Sequence, residues 1–200
     1  MTETPANRGL RAAARRLRHL PDLWLHALRR RRALEAVRDI GTVRGILVLC
    51  HGNICRSPYA EAVLRRELAR VGLAGVPVGS AGFIGPDRPP PAEALEAARR
   101  RGYELRAHRS RLVTADALAA VDLVLVMNRA QGRLGPWLGA NPPRILLLGD
   151  FDPGPIATRA IRDPVDGPPE LFEEVYNRLD RCLGAVVGGL TTAGSRSASP

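Results

Sequence analysis

The chain has 200 residues, with thirty cations, twenty acids and a formal net charge of +10; every cation is arginine. That length suits one domain with an appendage, and no apolar run reaches the ~18 residues of a membrane span. Three cysteines, an odd number, do not make a disulfide framework, and no cysteine–histidine cluster has zinc spacing, since Cys50 and His51 are adjacent but isolated.

The charge is uneven. Residues 1–44 hold eleven arginines against four acids, hence +7 of the total. Residues 1–9 are polar and end in glycine. Residues 10–20 suit a short helix, with Leu10, Ala13, Ala14, Leu17 and Leu20 near one face. After Pro21-Asp22, Leu23 to Val37 form a second helical run, which Arg29 to Arg32 should interrupt and Gly41 should close. This segment, residues 1–42, reads as a basic helical extension. Three readings fit it: an appendage packed on the domain, an element that rests on anionic lipid or a protein partner, or a nonspecific nucleic-acid binder. Packing ranks first and nucleic acid last. The N-terminus has no apolar signal core, so the expected compartment is the cytoplasm, with the extension able to hold the protein at the membrane periphery.

Val43 to Leu49 read as the first strand and Pro58 to Val71 as a helix, whose buried face is Ala60, Val63, Leu64 and Leu68. Val76 to Ser80 form the second strand. A β-α-β unit this short implies a parallel, doubly wound sheet. A proline-rich loop, 85–91, follows, with Phe83 and Ile84 as candidate pocket walls. Pro91 to Arg101 and Ala115 to Ala120 suit helices, Leu123 to Met127 the third strand, and Arg129 another helical turn. Arg144 to Leu148 read as the fourth strand. A long loop then runs to Pro169, and Glu170 to Val187 form the last helix. Residues 189–200 are a loose tail by composition.

The first strand runs into Cys50-His51-Gly52-Asn53-Ile54-Cys55-Arg56-Ser57-Pro58, and a helix follows. A loop of this length can curl into a ring of inward N–H groups, completed by the positive end of the helix dipole. Such a nest binds a tetrahedral oxyanion. Gly52 is expected to supply backbone angles closed to a side chain, and Asn53 is the next most tolerant residue of the left-handed region. Arg56 can offer two parallel donors to two phosphoryl oxygens. A cysteine at the centre of such positive charge is a nucleophile.

This stretch resembles the signature loop of the low-molecular-weight protein tyrosine phosphatases, whose relatives include thioredoxin- and glutaredoxin-coupled arsenate reductases. The resemblance covers residues 43–188. It implies Cys50 as nucleophile, Arg56 as phosphate clamp, Ser57 as the hydroxyl steadying the thiolate, and Asn53 as the residue holding the loop's shape. Residues His51 to Ser57 would form the phosphate loop, with Ile54 as in members acting on phosphotyrosine; the similar arginine phosphatases carry threonine there. Ser80-Ala81-Gly82 matches a family segment that gives Ser80 a hydrogen-bonding role behind the loop. His108 matches a buttress of the loop. Asp150, Asp152, Asp163 and Asp166 compete as proton donors on composition, and the resemblance selects Asp163, in the Asp-Pro before the last helix. Val165 and Asp166 stand where phosphotyrosine-specific members often carry aromatics.

The fold so implied is a three-layer α/β sandwich with a four-stranded parallel sheet, order 2-1-3-4, plus the N-terminal helical extension. The function is phosphomonoester hydrolysis, of protein phosphotyrosine or a small aryl phosphate, through a phosphocysteine, with no metal or organic cofactor. Arsenate reduction is the first alternative, and only Cys55 and Cys182 could relay its disulfide. A non-catalytic phosphate-binding module is the second.

Overall fold

The computed structural model describes residues 24–134, 139 and 142–197, with side chains through 192. The helix expected over 10–20 lies outside the described residues. In chain order the elements are α1 (His26–Arg38), β1 (Ile46–Leu49), α2 (Arg56–Arg70), β2 (Val78–Ala81), α3 (Ala92–Arg100), α4 (Ala115–Ala119), β3 (Leu123–Val126), β4 (Arg144–Leu147) and α5 (Pro169–Ser197). A 3-10 turn, Leu148–Phe151, follows β4.

The four strands form one sheet in the expected order, β2-β1-β3-β4, and every pairing is parallel. Strand residues alternate between faces. Ile46 and Val48 of β1 join one core with α2, α3 and α5, including Leu64, Ala97, Phe172 and Leu183. Leu47 and Leu49 face the other way, into a smaller core with Val124, Val126, Leu118 and Leu134. Both faces of the sheet are therefore covered, as purely parallel sheets require.

Parallel strands all end at one edge. Cys50 leaves β1 there, and the 3-10 turn carries the chain from β4 to Asp152 at the same edge. One strand, β3, separates β1 from β4, so the two exits lie about 10 Å apart across the sheet.

Four local expectations change. α1 runs unbroken through Arg29 to Arg32; arginine is a good helix former, and Ala33 and Val37 bury beside Val187 and Leu190 of α5. Gly41 does close the element, with φ of +69°. The loose tail expected from 189 is helical to Ser197, because α5 spans 29 residues and its last buried turns carry α1. Residues 129–132 form turns, not a helix. α2 starts at Arg56, two residues before Pro58, which brings Arg56 and Ser57 into its first turn.

Candidate active site

The site grows from the loop between β1 and α2. Cys50 is buried, 2% exposed, and its backbone N–H donates to the Ala81 carbonyl at 3.3 Å. The chain then folds back on the thiol: the Asn53 N–H donates to Cys50 Sγ at 3.2 Å, and Ser57 Oγ lies 3.0 Å from it.

Asn53 is the hub. Its φ is +51°, and it is fully buried. Nδ2 donates to Ser57 Oγ at 2.8 Å and to Ser80 Oγ at 2.9 Å. Oδ1 accepts from the Arg111 N–H at 2.8 Å. Its backbone carbonyl lies 2.8 Å from His108 Nε2, which must carry the proton of that bond. Since Ser57 Oγ accepts from Asn53, its own hydrogen is left to donate to Cys50. Ser80 donates onward to Glu61 at 2.6 Å. The four polar residues singled out from the sequence, Asn53, Ser57, Ser80 and His108, thus meet in one network behind Cys50.

Gly52 has an ordinary φ, so the expected backbone reason is replaced by a steric one: a Cβ there would lie 2.7 Å from Arg88 Nη2. That nitrogen donates to the Gly52 carbonyl at 3.0 Å and the Ile84 carbonyl at 3.1 Å, while Arg88 Nε donates to Gly85 O at 2.9 Å. Arg88 therefore ties the proline-rich loop to the signature loop. Gly82 has a similar need, because a Cβ would meet the Asn53 nitrogen at 2.8 Å and the His51 oxygen at 2.9 Å.

Arg56 is 3% exposed. Nη1 donates to the Ile161 carbonyl at 3.1 Å, and Nη2 pairs with Asp163 Oδ2. Nε is buried without a hydrogen-bond partner, a donor whose burial calls for an acceptor. Two of the competing aspartates are engaged elsewhere. Asp150 is held by both arms of Arg159, at 2.7 and 2.5 Å. Asp152 is 1% exposed and clamped by Arg178 and Arg181. Asp166 is exposed, with φ of +59°. Of the four, Asp163 alone bonds to Arg56.

Two cavities adjoin the loop. One of about 60 Å³ is lined by Cys50, Gly52, Ile54, Arg56, Asp163 and Val165, among others; this is the scale of a small oxyanion, since a water occupies about 30 Å³. A larger one of about 490 Å³ shares His51, Arg56 and Asp163 and adds Phe83, Asn128 and Ile161. Ile84 borders the first and Phe83 the second.

Behind the loop, Tyr176 donates to the Cys55 carbonyl at 3.2 Å and stacks on Tyr59, 3.8 Å between ring centres. Burial, with Cys50 and Asp163 adding to it, pushes the Cys55 thiol far up. Burial also pushes the Cys182 thiol up to about 12. Neither suits a disulfide relay, which needs thiolates.

Glu61, Arg88 and Tyr176's bond to the loop were not singled out from the sequence. Glu61 had a signal: it falls in the stripe Ser57, Glu61, Leu64, Leu68, an acid on the buried face of α2.

The profile of the family described as low molecular weight phosphotyrosine protein phosphatase matches residues 45–194. The chain belongs to this family. As a family member it is a hydrolase, a low-molecular-weight protein-tyrosine phosphatase by class, and the phosphocysteine mechanism is general to the family. It is 30% identical over 154 residues to the probable low molecular weight protein-tyrosine-phosphatase EpsP of Ralstonia nicotianae, covering 76% of this chain and 99% of that one. It is 32% identical over 149 residues to the human low molecular weight phosphotyrosine protein phosphatase, covering 71% and 92%. Among solved structures, the tyrosine phosphatase Wzb of Escherichia coli K30, in complex with sulphate, is 28% identical with a TM-score of 0.65, covering 74% of this chain and 99% of Wzb. The YwlE arginine phosphatase of Geobacillus stearothermophilus is 26% identical with a TM-score of 0.67, covering 78% and 99%. The family match begins at residue 45, so α1 and all that precedes it lie outside it.

Proposed function

We propose that this phosphatase hydrolyses protein phosphotyrosine with Cys50 as nucleophile, Arg56 as oxyanion clamp and Asp163 as general acid. One observation supports the reading: Cys50, Arg56 and Asp163 all line one cavity of oxyanion size, and Arg56 keeps a buried Nε without a partner. The phosphoryl group enters with two equatorial oxygens on the Arg56 guanidinium and the third on loop N–H groups. It competes with Asp163 for Arg56, so the carboxylate must turn from the guanidinium toward the leaving oxygen. Cys50 attacks phosphorus in line while Ser57 donates to its sulfur. Asp163 gives its proton to the departing phenoxide, then takes one from the water that cleaves the phosphocysteine and releases phosphate. Asn53, Ser80 and His108 position the loop.

The apolar borders Ile54, Ile84 and Val165 suit a flat aryl ring. The compartment that goes with this reading is the cytoplasm, and residues 1–44 serve as a docking element toward an anionic surface or a protein partner in preference to nucleic acid. The test is hydrolysis of a small aryl phosphate and of a phosphotyrosine peptide. Cys50→Ser should abolish both, and Cys55→Ser should retain much of each. Equal losses would overturn the assignment. Asp163→Ala should retain bound phosphoprotein and so capture the substrate.

A further inference from the structure

α1 has two faces, and only one of them is explained by packing. His26, Ala33 and Val37 are buried: Val37 stands against Gly189 of α5, and His26 Nε2 lies 2.9 Å from the Asp152 carbonyl. Just ahead of the helix and in its first turn, Trp24 is 84% exposed, Leu25 43% and Leu28 37%. Seven large apolar side chains are exposed among the described residues. Two of them, Ile84 and Val165, border the catalytic cavity, and three fall within this single stretch of five residues. Further along α1, Arg31, Arg32 and Arg38 are exposed, with Arg31 also 3.5 Å from Glu35.

We propose that Trp24, Leu25 and Leu28, flanked by Arg31, Arg32 and Arg38, seat the phosphatase on anionic lipid with its catalytic edge toward the bilayer. This deepens the reading of residues 1–44 as a docking element and rests on it. The chemistry matches a membrane interface. An indole settles at the headgroup level, leucines enter the acyl boundary, and guanidinium groups reach phosphodiesters from long apolar stems. Residues 24–44 carry six arginines and two acids, and the chain before them adds more positive charge. A second copy of the chain fits poorly, because a two-fold contact would set the same arginines against each other. A protein partner fits less well than lipid: the apolar patch is on the order of 300–400 Å², against roughly 800 Å² per partner in a standard interface. The placement follows from His26. It bonds Asp152, which follows the 3-10 turn after β4 at the edge where Cys50 leaves β1, so the patch begins near the catalytic edge of the sheet.

The full chain, carrying Trp137→Phe so that Trp24 alone reports, should be mixed with vesicles of phosphatidylglycerol and phosphatidylcholine, and with phosphatidylcholine alone. At low salt it should sediment with the anionic vesicles only, and Trp24 emission should shift to the blue. High salt should release it. Trp24→Ser/Leu28→Ser should reduce the bound fraction about tenfold, and Arg31→Gln/Arg32→Gln should reduce it and flatten the salt dependence. Turnover of a small aryl phosphate, measured on the same samples, should be unchanged by either pair. The proposal fails if the chain does not sediment at low salt, if neutral vesicles bind it equally, if neither pair weakens binding, or if Trp24 is already blue-shifted in a lipid-free dimer. Lost lipid binding with intact turnover overturns this proposal alone; lost turnover in the parent chain overturns the phosphatase assignment instead.

Discussion

Asn53 holds its left-handed backbone because every polar group of its side chain is bonded, to Ser57, Ser80 and the Arg111 N–H. The loop is thereby built before any substrate arrives, and its donors need no reorganisation during reaction. Asp163 differs, because it must leave Arg56 to act. Asp163→Asn keeps the shape and removes the proton, so kcat should fall about a hundredfold or more on an unactivated phenyl phosphate. The loss should be much smaller on an ester whose leaving group departs without protonation. Comparable losses on both esters would refute the acid role. At Gly52 the constraint is contact with Arg88. Gly52→Ala should lower kcat/KM, and adding Arg88→Ala should restore part of it, because the obstructing guanidinium is gone; additive losses would point to a backbone cause. The residues readable from sequence were those in short motifs with fixed spacing. Arg88 was not, since its partner lies 36 positions away and nothing local announces it; Glu61 showed only as an acid in an apolar stripe, its partner 19 positions away.

Among the elements, the strands and their order were legible because apolar runs alternate with helical patterns at a regular interval. The ends were less so. α2 begins at Arg56 because its first turn closes on the signature loop, a constraint set by the anion nest rather than by Pro58. α5 continues past 187 because α1 covers Val187 and Leu190, and no local propensity reveals a partner about 150 residues upstream. The run Arg29 to Arg32 suggested a break, yet Ala33 and Val37 fix the helix from either side of the turn that follows it. Val37 is fully buried. Val37→Ala should therefore cost about 1–3 kcal/mol of stability, read as a lower Tm, while aryl phosphate turnover at 25 °C stays close to normal. An unchanged Tm would mean that α1 does not share the core.

For the molecule as a whole, stability should depend on pH through a few buried or half-buried groups. Burial lowers the His108 pKa, against the opposing pull of the Asn53 carbonyl. The folded value thus lies below the unfolded value of about 6.5. Its contribution is complete above that unfolded value and is lost as pH falls through the folded one. Burial pushes Asp152 up, but the bonds from Arg181 and Gly154 and the charge of Arg178 outweigh it, so its pKa is lowered; its contribution disappears only in stronger acid. Between pH 7.5 and 5.5 the wild-type Tm should fall, and His108→Gln should reduce that fall. Parallel curves for the two proteins would remove His108 as the cause. The packing of α1 on α5 also has a consequence in time. The helix leaves the ribosome well before its seat on α5, which lies far downstream in the chain. Contacts of such sequence separation form late. Until α5 is made, then, the nascent chain presents Ala33 and Val37 uncovered beside its arginines, and the helix reaches its final place only once the last buried turns of α5 have emerged.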